Sequence, residues 1–252
     1  MMMLLSHFMP PDKAHITTRL GRRLAALEAA RDGLLARRHL SGNGEIRRDT
    51  HEYWLASNRD LLHPLSGKWL HNQVTTAPRS PRDLAEEVEL ARQARLRLRG
   101  AGSLGANQLL KWICDVNRLT DISGGGELRT INVFSSADRL GRRIAFSAPN
   151  DLRRQLDLLS QAAHDWQDYP TFRALLLLLA VIAIHPFTDG NGRTARACFN
   201  ALLTDEPAAP FVPVRMIMDC SCGGLEIRMR DAIFNQSWGE IISYFAAALD
   251  LS

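Results

Sequence analysis

Eleven consecutive residues, Ala174 to Ile184, are apolar, and they run directly into His185-Pro186. The run is too short to cross a bilayer, which takes roughly 20 residues, and it has no polar face to turn to water. It therefore predicts a helix buried on all sides, around which the other elements must be arranged. Pro186 lacks a backbone donor and clashes with a continuing helix, so the helix is expected to end at His185 and to hold that imidazole at the tip of a rigid element. Asp189-Gly190-Asn191-Gly192 then make a glycine-rich turn, after which Ala195, Phe199, Leu202 and Leu203 recur at helical spacing. A glycine-rich turn feeding a helix start presents unpaired N–H groups at the positive end of the helix dipole. Such a place binds phosphate.

The side chains here suit chemistry on a phosphate. A histidine beside an apolar run is usually a satisfied core residue, but next to a phosphate turn His185 reads as a general base, since an unperturbed imidazole has a pKa of about 6.5. Asp189 alone would read as a helix cap. Beside phosphates, one carboxylate commonly holds Mg²⁺ while water and phosphate oxygens fill its other positions. Gly190, Asn191 and Gly192 would bring their backbone N–H groups against the phosphates, where a Cβ would intrude. Arg193 and Arg196 lie three apart on the expected helix, so both can face one side and pair with a polyphosphate; solvent-exposed arginines are the alternative. Phe187 is expected to anchor the loop in the core.

From His185 to Arg196 the sequence resembles, at all nine fixed positions, the signature of the Fic family, H-P-F-x-D-G-N-G-R-x-x-R. The resemblance extends to Asn200 and to the apolar run upstream, and more loosely over about residues 100–250. It implies a mostly α fold, a helical bundle with one β-hairpin flap over the active site. It also implies an activity: AMP transfer from Mg²⁺-bound ATP to a Ser, Thr or Tyr hydroxyl of a target protein, with His185 as base, Asp189 on the metal, and Gly190, Asn191, Gly192, Arg193 and Arg196 on the nucleotide. Asn235, in Phe234-Asn235-Gln236-Ser237, falls near the family's base-contacting asparagine, and a helix-terminal asparagine is the other reading. UMP or GMP transfer, or a non-catalytic module binding a phosphorylated ligand, are the alternative functions. Many relatives are restrained by a helix bearing [S/T]-x-x-x-E-[G/N]; Ser41-Gly42-Asn43-Gly44-Glu45 departs from it at Ile46 and is too glycine-rich for a helix. A separate antitoxin-like inhibitor, or an unrestrained toxin or effector, is what this implies.

The rest of the chain supports a single catalytic region, 100–252, preceded by a helical region, 1–99, of unassigned role. At 252 residues the chain can bury a proper core. Its formal charge of +4 is almost wholly arginine, Lys13, Lys68 and Lys111 being the lysines, and the arginines are spread along the chain, so a nucleic-acid partner is not expected. Cys114, Cys198, Cys220 and Cys222 lack the paired spacing of a zinc site. Met1 to Met9 is apolar without the flanks of a signal peptide, so a cytoplasmic protein, or one delivered by a specialised secretion system, is expected, with no membrane partner.

Helices are expected at 15–38 (Leu20, Leu24, Leu27, Leu34), near Trp54 to Leu62, at 81–99, 104–118, 150–166 and 171–184, after the turn at 189–192, and around Leu225 to Ile233 and Trp238 to Leu249. Leu128–Phe134 and Arg143–Ser147, with Gly141 between them, predict the hairpin, and Pro207, Pro210 and Pro213 an irregular link.

Overall fold

The computed structural model describes residues 3–5, 7–37, 61, 81–100, 105–120, 125–135, 143–204, 211–221 and 223–251. The expected Trp54 to Leu62 helix, apart from Leu61, and the Ser41 to Glu45 loop lie outside them. Two compact units emerge: Met1–Lys13 with Glu89–Pro207, and Ala14–Val88 with Ala208–Ser252.

In chain order the elements are β1 (Met3–Leu5), α1 (Lys13–Arg37), α2 (Pro81–Gly100), α3 (Ala106–Arg118), β2 (Arg143–Ala145), a 3-10 turn (Pro149–Asp151), α4 (Leu152–Asp165), α5 (Pro170–Ile184), α6 (Asn191–Leu203), α7 (Val214–Cys220), α8 (Gly224–Asn235) and α9 (Gly239–Leu251). The described residues are thus mostly α, with two three-residue strands.

The first unit is built around α5. Pro170 occupies its first turn, where no backbone donor is needed, and every residue from Ala174 to Val181 is buried. Its neighbours are α6 and α4, and α3 packs in turn on α4 and α6. Leu109, Trp112, Ile113 and Val116 of α3 and Leu152, Leu156, Leu159 and Ala163 of α4 supply the facing core at helical spacing. Burying a side chain of this size contributes about 1.5–3 kcal/mol before conformational entropy is charged. Polar cross-links fix the register of the packing: the Trp112 indole donates to the Ala94 carbonyl at 2.9 Å, and Arg95 donates to the Asn200 carbonyl at 3.0 Å.

The flap has the expected connectivity but little ladder. Phe134 pairs antiparallel with Ala145, the Ser135 N–H donates to the Ile144 carbonyl at 2.9 Å and the Phe146 N–H to the Val133 carbonyl at 3.2 Å; residues 136–142 between the arms are not described. Regular pairing does not extend back to Leu128, because the Arg129 N–H donates instead to the Pro186 carbonyl at 3.0 Å. The other edge of β2 carries β1, parallel, with Leu4 opposite Ile144. That strand was not anticipated, since three residues are too few for an alternation to register.

In the second unit Leu24, Leu27 and Leu34 of α1 are buried, as their spacing predicts, and α1 is non-helical at Leu20 (φ −116°). The amphipathic α9 buries Ile241, Ile242, Phe245 and Leu249, and α8 packs on α7 and α9. The described residues 211–213 of the proline-rich link carry no regular structure, and an unexpected short helix, α7, begins directly after Pro213. No helix among the described residues is long and apolar enough to cross a membrane.

Candidate active site

His185 caps α5 in the left-handed region (φ 53°, ψ 59°), its N–H still donating to the Val181 carbonyl at 3.0 Å. Pro186 allows the helix no further turn. The imidazole is stacked on the Phe146 ring, centroids 4.0 Å apart. Burial lowers its pKa to about 4; the Ile182 carbonyl pulls it upward, Arg129 depresses it further and Asp189 opposes that. Its buried Nδ1 has no hydrogen bond of normal geometry, so the pull from Ile182 is a partial one. At neutral pH the ring is uncharged and has a lone pair with which to take a proton.

The loop that follows is held from inside. Phe187 is buried, and Asn191, at the first position of α6, closes a ring with it: its amide donates to the Phe187 carbonyl at 2.8 Å and its Oδ1 accepts the Phe187 N–H at 3.0 Å. The Asn191 side chain is therefore a staple for the loop, leaving its backbone N–H for a ligand. Gly190 caps α6 with φ 79°, which an L side chain rarely adopts. Intrahelical bonding begins where the Thr194 N–H donates to the Gly190 carbonyl at 2.8 Å, so the N–H groups of Asn191, Gly192 and Arg193 form the unsatisfied first turn. A Cβ on Gly192 would come within 3.2 Å of the Arg196 guanidinium, so glycine is what lets that side chain lie close over the turn.

Arg196 is buried, whereas Arg193 is about half exposed. Arg193 donates to the Thr120 carbonyl at 3.1 Å and stands 3.9 Å from the Asp189 carboxylate. Asp189 has one oxygen on the Gly190 N–H, and its side chain is 70% exposed. This suits a hard divalent cation that keeps most of its positions for water and phosphate; among the described residues no group of three or more His, Cys, Asp or Glu could hold an ion without them.

One member of this arrangement escaped the sequence reading. Asn117 of α3 is buried, and its amide donates to the Asp189 carbonyl at 3.1 Å and to Thr194 Oγ1 at 3.0 Å while its Oδ1 accepts the Gly126 N–H at 2.7 Å. It ties the turn, the start of α6 and the 125–126 bend together. Nothing in its local sequence distinguishes it from a surface asparagine. The structure thus brings His185, Asp189, Gly190, Asn191, Gly192, Arg193 and Arg196 into one loop and helix start. Asn235 belongs to the second unit, at the end of α8, where its amide donates to Asp231 at 2.8 Å.

Residues 108–203 match the Fic/DOC family. The chain resembles that family over this segment, which is less than half of its length. Over 74 residues it is 43% identical to the protein adenylyltransferase Fic of Nematostella vectensis, a stretch amounting to 27% of this chain and 16% of that relative. The fold likeness is broader. A Fic family protein from Desulfovibrio desulfuricans aligns over 90% of this chain and 72% of its own (TM-score 0.58, 16% identity). Fic-1 from C. elegans aligns over 94% and 72% (TM-score 0.50, 20% identity), and a Fic domain containing signaling protein from Bacteroides thetaiotaomicron over 90% and 92% (TM-score 0.50, 16% identity). At these identities the likeness is one of fold, and it establishes the helical Fic architecture with a small flap.

Proposed function

We propose that this chain is a protein adenylyltransferase of the Fic/DOC family, moving AMP from ATP to a hydroxyl side chain of a target protein. The observation that carries this reading is an uncharged imidazole at the end of α5, six residues before a helix start whose first N–H groups are unsatisfied. A module that only bound a phosphorylated ligand would have no use for the base.

In this mechanism the first turn of α6, Arg193 and Arg196 bind the polyphosphate and orient the α-phosphorus. His185 accepts the proton of the target hydroxyl as its oxygen forms a bond to that phosphorus, and the bond to pyrophosphate breaks. Phe146 shields one face of the imidazole from water. Asp189 would hold Mg²⁺, which when bound neutralises charge on the phosphates. Asn235 is assigned to the nucleotide base on resemblance alone, and UMP or GMP transfer is the competing activity. Restraint would come from a separate antitoxin-like partner.

The test is incubation of the chain with labelled ATP, UTP and GTP in turn and a cell lysate, followed by mass spectrometry of any labelled band. A hydroxyl side chain carrying AMP is expected. A nucleotide bound without any covalent mark would instead favour the binding module.

A further inference from the structure

Arg129 is 3% exposed, and its guanidinium is surrounded by backbone. Nε donates to the His185 carbonyl at 2.7 Å, one terminal nitrogen donates to the Ile131 carbonyl at 2.7 Å, and the other donates to the Ser147 carbonyl. Its own N–H donates to the Pro186 carbonyl. Burial disfavours the charge and lowers its pKa, but a guanidinium stays protonated at any working pH and three carbonyl dipoles meet it.

What these carbonyls belong to is informative. His185 is in the left-handed region, a conformation that its surroundings must hold; that turn takes its carbonyl off the α5 ladder and leaves it to Arg129. Ser147 follows Phe146, the residue stacked on the imidazole. Ile131 lies on the other arm of the flap. One planar fork therefore grips the backbone of the base and the backbone on both sides of the flap at once.

We propose that Arg129 is a positioning residue of the His185 site: by holding the His185 and Ser147 carbonyls on one guanidinium, it fixes the imidazole against Phe146 and sets the direction from which the ring meets the target hydroxyl. The catalytic half of this rests on the transferase reading; the geometric half does not. A lysine offers the same charge without the planar fork, so Arg129→Lys separates geometry from electrostatics.

The full chain, wild type, Arg129→Lys and Arg129→Gln, is examined by NMR of its labelled histidines, by thermal melting and by transfer kinetics. In the wild type the stacked Phe146 ring shifts the His185 ring protons upfield. In the variants that shift is expected to be lost while melting stays cooperative, and kcat falls about ten- to a hundredfold, the cost of misplacing a reacting group by about 1 Å, with KM for the nucleotide little changed. Ring signals at their wild-type positions overturn the proposal, as does a loss of rate that only tracks the unfolded fraction. If neither variant folds, a coupling across the hydrogen bond from Arg129 Nε to the His185 carbonyl carbon in the wild type decides it, and its absence counts against the role. If the ring signals move as expected but no nucleotide is transferred by any form, the transferase reading fails and the positioning stands.

Discussion

The Phe146 ring lies against the His185 imidazole with the two planes only 16° apart. Phe146 is only half-buried itself, yet it removes water from one face of the base. Burial as a whole, to which this ring contributes one face, is the largest cause of the low His185 pKa, because the imidazolium loses more solvation than the neutral ring.

The first prediction is a displaced acid limb. With a pKa of about 4 rather than 6.5, His185 stays a free base through the mildly acidic range, so kcat/KM for transfer, which reports the free enzyme, should hold well below pH 6. The same shift has a stability consequence. The folded pKa lies below the unfolded one, so the contribution is complete above about 6.5 and is lost as the pH falls toward 4, where the unfolded chain takes up the proton first; about 3 kcal/mol is at stake. Urea unfolding of wild type and His185→Gln between pH 7 and pH 4 checks it. The gap between them should shift against the wild type on acidification, and parallel losses would contradict the shift.

His185→Ala should abolish transfer while nucleotide affinity survives, since the imidazole acts on the hydroxyl and the start of α6 holds the phosphates. Calorimetric titration with ATP alongside a labelling assay measures both. Wild-type labelling by the variant would remove the base from the mechanism.

Asn191→Ala should damage the loop more than a surface substitution would. It deletes both hydrogen bonds to the Phe187 backbone and leaves a buried N–H and carbonyl unpaired, at a cost of about 1–3 kcal/mol. Denaturant melts should show that loss, and nucleotide affinity should weaken because the first turn of α6 is no longer held. A variant as stable as the wild type would mean that water replaces the amide.

What the sequence disclosed and what it hid follow one physical line. The apolar run, Pro186 and Gly190 act through neighbours in the chain, so the end of α5 at His185 and the start of α6 after the turn were visible as spacing. Asn117 and Arg129 act on backbone groups 72 and 56 residues away, and no local pattern encodes such reach. The Asn191 side chain lay in between: its position was legible, but its work as a staple required knowing where Phe187 folds back. The parallel pairing of β1 with β2 joins segments about 140 residues apart, and α7 was hidden because the prolines before it suggested irregular chain.

Asp189→Ala should reduce nucleotide-dependent activity in a way that added Mg²⁺ only partly restores. The carboxylate is exposed and has one oxygen on the Gly190 N–H, so its place on the turn directs an ion as well as attracting it. A Mg²⁺ titration of rate for both forms reads this out. Complete recovery at high Mg²⁺ would reduce Asp189 to a local charge, and full wild-type activity in chelator would remove the metal from the reaction.

The last prediction concerns restraint, and it turns on Glu45, which lies outside the described residues. An inhibitory glutamate would have to reach Arg196 and form a charge-assisted pair that competes with the γ-phosphate. Gly42 and Gly44 oppose the helix that such a glutamate needs, each costing about 1 kcal/mol relative to alanine, and Ile46 stands where the restrained relatives carry a small or amide residue. The purified chain alone is therefore expected to label itself or a bacterial lysate, and expression without a partner to slow growth. Autolabelling of wild type and Glu45→Gly, measured side by side, distinguishes the cases. Equal and substantial rates leave restraint to a protein supplied in trans, or leave the chain unrestrained. A silent wild type beside an active variant would place the inhibitor within this chain, because only relief of an internal pair can raise the rate when nothing else is present.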